Sequence, residues 1–137
     1  MADYIAKGRT NYFRVVDEKL YEEAFDYLRS VNHDIVFDLS DDDGRHALGC
    51  AGSILWCDPE EEEQPGSKTY LERLQPLLPD DEAFIYMEVG AEKFSYLSGY
   101  CYIVTNKEVR ICYLHDMAID TAREMLGEPT WYTEMEY

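Results

Sequence analysis

The sequence predicts an α+β fold: a mainly antiparallel sheet of about five to seven strands with about three helices on one face, in the order β-α-β-β-β-α-β-β-β-α. Three observations lead there. Residues 17–31 and 114–126 each carry apolar side chains at helical spacing. The segments AFIYMEV, YLSGYCYIVT and EVRICYL, rich in β-branched and aromatic residues, follow one another between residues 83 and 114. No period of about 20–50 residues recurs, so a repeat architecture is excluded. At 137 residues and 16.0 kDa the chain fits a single domain, residues 1–137, with an acidic loop at 57–67.

Each element has its own warrant. Asn11–Val16 (NYFRVV) has the β-branched and aromatic content of a strand, and Leu20, Ala24, Tyr27, Leu28 and Val31 then recur as a helical stripe. Asp17 stands where a carboxylate caps free helical amides and complements the helix dipole, so the helix is expected to begin there. Asp34–Leu39 (DIVFDL) reads as a strand, the polar run Ser40–Gly44 as a turn, and Arg45–Ala51 (RHALGCA) as the returning strand of a hairpin. Ser53–Trp56 (SILW) is expected to be a further short strand. Between Cys57 and Ser67 the run DPEEEEQPG holds no apolar residue, and repulsion between neighbouring carboxylates together with two prolines makes it an exposed loop.

Ser67 or Thr69 can cap the next helix, whose stripe is Leu71, Leu74 and Leu78, and Pro76 limits it to about two turns by removing an amide donor. The Asn106-Lys107 turn joins the last two strands into a meander. Leu114, Met117, Ala118, Thr121, Ala122 and Met125 line one side of the final helix, which is expected to stop at Gly127 with Pro129 just beyond.

The chain is 46% hydrophobic and 14% aromatic, which is enough apolar surface to order it despite 30% charged residues and a mean hydropathy of -0.45. Its charge is distinctive: 29 Asp and Glu against 12 Lys and Arg, a formal -17 and a pI near 4.3. Such a chain repels phosphate, which argues against direct binding to nucleic acid or to an anionic membrane and points to cationic partners. The N-terminal MADYIAKGRTNYF has no apolar core of a signal peptide, so a cytoplasmic location is expected, with Cys50, Cys57, Cys101 and Cys112 as free thiols.

Motifs for chemistry are absent. DLSDDDG fails as a calcium loop, because with Gly44 sixth the first position is Leu39 and the twelfth is Cys50. His46, Cys50 and Cys57 make a poor zinc pattern, and no histidine forms a nucleophile motif with a cysteine. With no GxSxG, HExxH, P-loop or GxGxxG, no catalytic, cofactor or metal residue is assigned, and a small metal-dependent hydrolase is the least supported reading.

Two surfaces suggest binding instead. Nine carboxylates between Asp38 and Glu63 face Arg45 as their only Lys or Arg counter-charge. Asp41, Asp42, Asp43, Glu60, Glu61, Glu62 and Glu63 are therefore the candidate phosphate surrogates, since phosphates repeat about every 3.4 Å along a nucleic-acid strand and a basic channel would accept a similar row of charge. The alternative surface is Trp131, Tyr132, Glu134, Glu136 and Tyr137, where aromatic area combines with acids that select a basic protein partner. A homodimer through an edge strand of the meander is compatible with the pattern, although the charge opposes self-association unless the interface is apolar.

The segments TNYFRVVDE (Thr10–Glu18) and LLPDDEAFIYMEVGAEKFSYLSGYCYIVT (Leu77–Thr105) resemble small acidic proteins of phages, plasmids and integrative elements of gut bacteria. The resemblance is one of general pattern and extends over most of the chain. It implies an anti-restriction or anti-CRISPR inhibitor, some of which are DNA mimics. The expectation is thus a non-enzymatic acidic inhibitor of a nucleic-acid-binding host defence complex, such as a CRISPR-Cas effector or restriction nuclease. A regulatory module of a mobile element, binding a protein through the aromatic surface, is the alternative.

Overall fold

In the computed structural model, which describes residues 4–61, 64–92 and 96–133, the chain forms six strands and three α-helices. In order these are β1 (Ile5–Thr10), α1 (Glu18–Val31), β2 (Val36–Asp38), β3 (Leu48–Cys50), α2 (Tyr70–Leu74) with a 3-10 turn at Gln75–Leu77, β4 (Phe84–Glu92), β5 (Tyr96–Val104), β6 (Val109–Tyr113) and α3 (Leu114–Leu126). All strands join one antiparallel sheet in the spatial order β2-β3-β1-β4-β5-β6. The class is α+β, as the hydrophobic pattern predicts.

One sheet face carries the core. Phe84 and Tyr86 of β4, Leu48 and Cys50 of β3, Val36 of β2 and Val104 of β5 point inward, against Tyr21, Ala24 and Leu28 of α1 and Tyr70, Leu71 and Leu74 of α2. Rings do much of the packing: Phe13 meets Phe84 edge-on at 5.1 Å, and Trp56 stacks on Tyr70 at 5.8 Å while meeting Tyr86 edge-on at 5.1 Å. At Gly8 a side chain is sterically forbidden, because a Cβ would lie 1.9 Å from the Tyr86 hydroxyl, and the ring passes over the backbone there.

Two expected strands are corrected. Asn11–Val16 forms no strand; the ladder to β4 stops at Thr10, and Asn11 then closes it with its own side chain, donating to the Ala83 carbonyl at 2.9 Å and accepting from the Ile85 amide at 2.8 Å. Only Phe13 keeps a bridge, to His46. Ser53–Trp56 is likewise irregular, because side chains take its amides: Ile54 N–H donates to Glu88 Oε1 at 3.1 Å and Leu55 N–H to Asn32 Oδ1 at 2.8 Å.

The helix boundaries follow their caps. Asp17 accepts from the Leu20 amide at 3.0 Å, and Thr69 with Glu72 forms a reciprocal capping box at the start of α2. Gly127, at φ 66°, ends α3 in the left-handed conformation expected of a terminal glycine.

The third helix departs from expectation. It begins at Leu114 with no connecting residue after β6, and none of its 13 residues is buried, so the helical cover over the core comes from α1 and α2. The opposite sheet face is also bare. Side-chain alternation and register place Ile5, Lys7, Arg9, Ile85, Met87, Val89, Leu97, Cys101 and Ile103 on it, with Ile5 69%, Met87 59% and Val89 61% exposed.

Candidate interaction surface

The acidic side chains converge on α1. Its cap fixes the register that turns Tyr21, Ala24 and Leu28 into the core, which leaves Glu18, Glu22, Glu23 and Asp26 exposed. Glu18 reaches His46, Oε2 to Nε2 at 2.6 Å, and the His46 ring lies against Tyr21 at 4.3 Å. A shallow groove there is lined by Glu18, Glu22, Asp26 and Asp38, with Arg29 and His46 among them. The turn bearing Asp41–Asp43 springs from Ser40 and His46, so the first acidic run flanks the N-terminal part of the helix.

The second run flanks its other end. Tyr27 of α1 donates to Glu61 Oε2 at 3.5 Å and accepts from the Asp58 amide at 3.4 Å, while the Arg73 guanidinium covers its ring at 4.0 Å. Asp58 and Glu61 fold the loop onto itself through the Glu61 amide to Asp58 carbonyl bond of 2.9 Å and the Gln64 amide to Glu61 carbonyl bond of 3.0 Å. The two runs therefore stand on opposite flanks of the 14-residue α1, about 20 Å long, the first beside Glu18 and the second beside Tyr27, with Lys19 and Arg29 exposed on the same helix. This joining of distant runs through α1 is the feature that sequence spacing alone does not display.

The seven acidic candidates play different parts. Asp41 closes its turn, accepting from the amides of Asp43 at 3.0 Å and Arg45 at 3.1 Å and from the Arg45 guanidinium at 2.7 Å. Desolvation opposes its ionisation, but the hydrogen bonds and the Arg45 charge outweigh it and hold the carboxyl below its ordinary range. Asp41 is thus committed to its own loop, whereas Asp42, Asp43 and Glu60 face solvent. Glu61 is tied to Tyr27, and Glu62 and Glu63 lie outside the described residues.

The aromatic alternative is separate, at the end of α3. The Trp131 carbonyl accepts from Arg123 Nε at 2.8 Å, and the exposed Tyr132 ring lies 6.4 Å from that of His115. Glu134, Glu136 and Tyr137 lie outside the described residues.

A polar cluster that the sequence reading did not single out sits in the core. Glu88 is 2% exposed and accepts from the Ile54 amide at 3.1 Å and the Tyr86 hydroxyl at 3.0 Å; Tyr100 also hydrogen-bonds to it. Burial, reinforced by the Glu88 charge, pushes the Tyr86 and Tyr100 hydroxyls well above the ordinary tyrosine range, and raises the Cys50 thiol likewise. Its signal was available, since Glu88 falls in phase with Phe84 and Tyr86 on an alternating strand.

No disulfide joins the four cysteines, and Cys101 faces Cys112 across β5 and β6. Among the described residues no group of three or more His, Cys, Asp or Glu side chains is arranged to hold a metal ion, and no helix is long and apolar enough to cross a membrane. No known protein family, curated protein or solved structure matches the chain.

Proposed function

We propose that the protein is a non-enzymatic acidic inhibitor that occupies the nucleic-acid-binding surface of a host defence complex, with a CRISPR-Cas effector or a restriction nuclease as the target class. The observation that carries this reading is that the two acidic runs flank the exposed face of α1, which bears Glu18, Glu22, Glu23 and Asp26, one through the Glu18–His46 contact and the other through Tyr27–Glu61. A lysine- and arginine-lined channel built for phosphates would meet carboxylates along about 20 Å there. Affinity would come from charge-assisted contacts, and encounter would be accelerated by long-range attraction.

The test is capture of bacterial Cas and restriction complexes on the tagged protein, with washes at two salt concentrations and with DNA as competitor. The expected result is a basic nuclease released by salt and by DNA, whose association slows at least tenfold when Glu22, Glu23, Glu60 and Glu61 are changed to glutamine. If that variant inhibits the captured nuclease as well as the parent protein at low salt, the reading is wrong. A salt-indifferent partner lost on Trp131→Ala would transfer the role to the aromatic surface.

A further inference from the structure

Cys101 of β5 and Cys112 of β6 stand directly opposite each other on the bare sheet face. At the mouth of the turn the Thr105 amide donates to the Glu108 carbonyl at 2.9 Å, and alternation of the ladder from that bond makes Cys101 and Cys112 a hydrogen-bonded pair. Cα atoms of such a pair lie about 5.5 Å apart, inside the span of roughly 4.4–6.8 Å found for disulfide-bonded cysteines. The side chains also sense each other. The Cys101 thiol is raised, chiefly by burial and then by the neighbouring Cys112 thiol, with which it shares a hydrogen bond. Both residues are half-buried, within reach of a small reagent, whereas Cys50 is 2% exposed and closed off in the core.

The surroundings of the pair suit thiol chemistry better than the rest of this acidic chain does. Register assigns to the same side Lys7 and Arg9 of β1, Met87 and Val89 of β4, Ile103 of β5 and Arg110 of β6, and no Asp or Glu from any of those four strands, although the chain has 29. Glu108, in the turn before β6, is paired with Arg110 at 3.0 Å. A thiolate forms more readily where carboxylates do not oppose its charge and cations stand on the same surface.

A cross-link at this point would also have a mechanical effect. No described residue after Val104 is buried. β6 is the edge strand and pairs with β5, and α3 follows it without a connecting residue, meeting the sheet through Leu114 at Gly99. A unit held by backbone hydrogen bonds and little buried apolar surface opens locally at low free-energy cost. A covalent bond across the ladder restricts that opening.

We infer that Cys101 and Cys112 form a reversible redox site, a dithiol that a low-molecular-weight disulfide converts to an intramolecular disulfide, fastening β6 and α3 to the sheet. One cysteine loses its proton and attacks a sulfur of the reagent, which forms a mixed disulfide and releases one reagent thiolate to be protonated. The other cysteine then loses its proton and attacks the protein sulfur of the mixed disulfide, which releases the second reagent thiol. Two protein thiols are thereby oxidised and one reagent disulfide is reduced to two thiols. Cβ atoms of a hydrogen-bonded pair stand up to about 5.5 Å apart, against roughly 3.5–4.5 Å in a disulfide, so closure draws the strands together and stores strain. Strained and exposed cross-links are the readily reduced ones, which makes this site reversible. The inference is independent of the inhibitor reading, since it needs no macromolecular partner.

Treatment of the full chain with oxidised glutathione as the probe, followed by tryptic digestion and mass spectrometry, tests it. Lys107 and Arg110 lie between the two cysteines, so the disulfide appears as two joined peptides, lighter than their sum by two hydrogen atoms. That link is expected as the dominant product, with return to thiols in excess reduced glutathione and with hydrogen exchange of the Val109–Tyr113 amides at least tenfold slower in the oxidised protein. Cys101→Ser with Cys112→Ser should stay folded by circular dichroism and exchange at the reduced parent's rate under both conditions, and Cys112→Ser alone should stop at the mixed disulfide on Cys101. A parent that keeps both thiols or stops at mixed disulfides, a link between other cysteines, a link that excess reduced glutathione leaves intact, or an oxidised protein whose β6 exchanges as fast as the reduced one overturns the inference.

Discussion

Replacing Glu88 by alanine is expected to be among the most damaging single changes in this protein, although it removes a charge from a chain with a large excess of that charge. Glu88 serves the Ile54 amide, the Tyr86 hydroxyl and the Tyr100 hydroxyl. Without the carboxyl these donors lose their acceptor, at about 1–3 kcal/mol for each buried donor left unmade. The tyrosine hydroxyls can turn in search of water, but the Ile54 amide is fixed in the chain, so a total of about 3–5 kcal/mol follows. That is a large fraction of the 5–15 kcal/mol by which a typical domain is stable. In urea, with a slope of about 2 kcal/mol/M, the unfolding midpoint should fall by roughly 2 M. Glu88→Gln keeps one oxygen acceptor in the same place and should cost only about 1 kcal/mol, the difference between a charged and a neutral acceptor. If the alanine variant unfolded within about 0.5 kcal/mol of the parent, or if alanine and glutamine cost the same, the network would not hold the fold as argued.

Three further outcomes follow, two of them from the core. Tyr21, Tyr70 and Tyr86 all have hydroxyls raised above the ordinary value of 10.0, chiefly by burial. Their contribution to stability is complete below pH ~10 and is lost as pH rises beyond it, because the unfolded chain releases protons that the folded chain retains; three such groups give a slope of up to about 4 kcal/mol per pH unit. Absorbance at 295 nm should show these hydroxyls ionising only together with unfolding, and ionisation of all twelve tyrosines near pH 10 in a folded chain would refute this. Gly8→Ala should destabilise by about 3 kcal/mol or more in the same urea assay, since its Cβ collides with a buried ring that Glu88 holds in place. Gly44→Ala, with open space around it but φ at 78°, should cost only about 1 kcal/mol.

Local chemistry was legible where an element's residues and its neighbours agreed. Asp17, Thr69 and Gly127 stand at the helix boundaries they signal, and the meander of β4, β5 and β6 falls on the three β-rich segments. The first strand shows the limit. Ile5–Thr10 contains Lys7, Gly8 and Arg9 and has weak strand propensity, yet it is central in the sheet because β4 pairs along its length; the more aromatic Asn11–Val16 is not a strand. Long-range capture also decided Ser53–Trp56, whose amides are taken by Asn32 and Glu88. The acidic runs were visible as composition, but their attachment to the two flanks of α1 depends on Tyr27 and His46, each of which looks unremarkable alone. The sequence pattern of α3 suggested a core-covering helix, but it follows β6 directly at Tyr113 and Leu114, and only its first residue lies against the sheet, at Gly99, so none of it is buried.

The absence of carboxylates from one sheet face, with Lys7 and Arg9 on it and Glu18, Glu22, Glu23 and Asp26 of α1 on the other side, makes the charge of these elements uneven across the sheet. A basic body approaching from any direction would exert a torque that turns the helical side toward it before contact. Random docking of two specific patches wastes most encounters on wrong orientations, and holds ordinary association to about 10⁵–10⁷ M⁻¹s⁻¹. A molecule that is turned while still a Debye length away, about 8 Å in physiological salt, loses fewer encounters. Segregation of charge, beyond its total, would then determine how quickly this protein reaches a basic target.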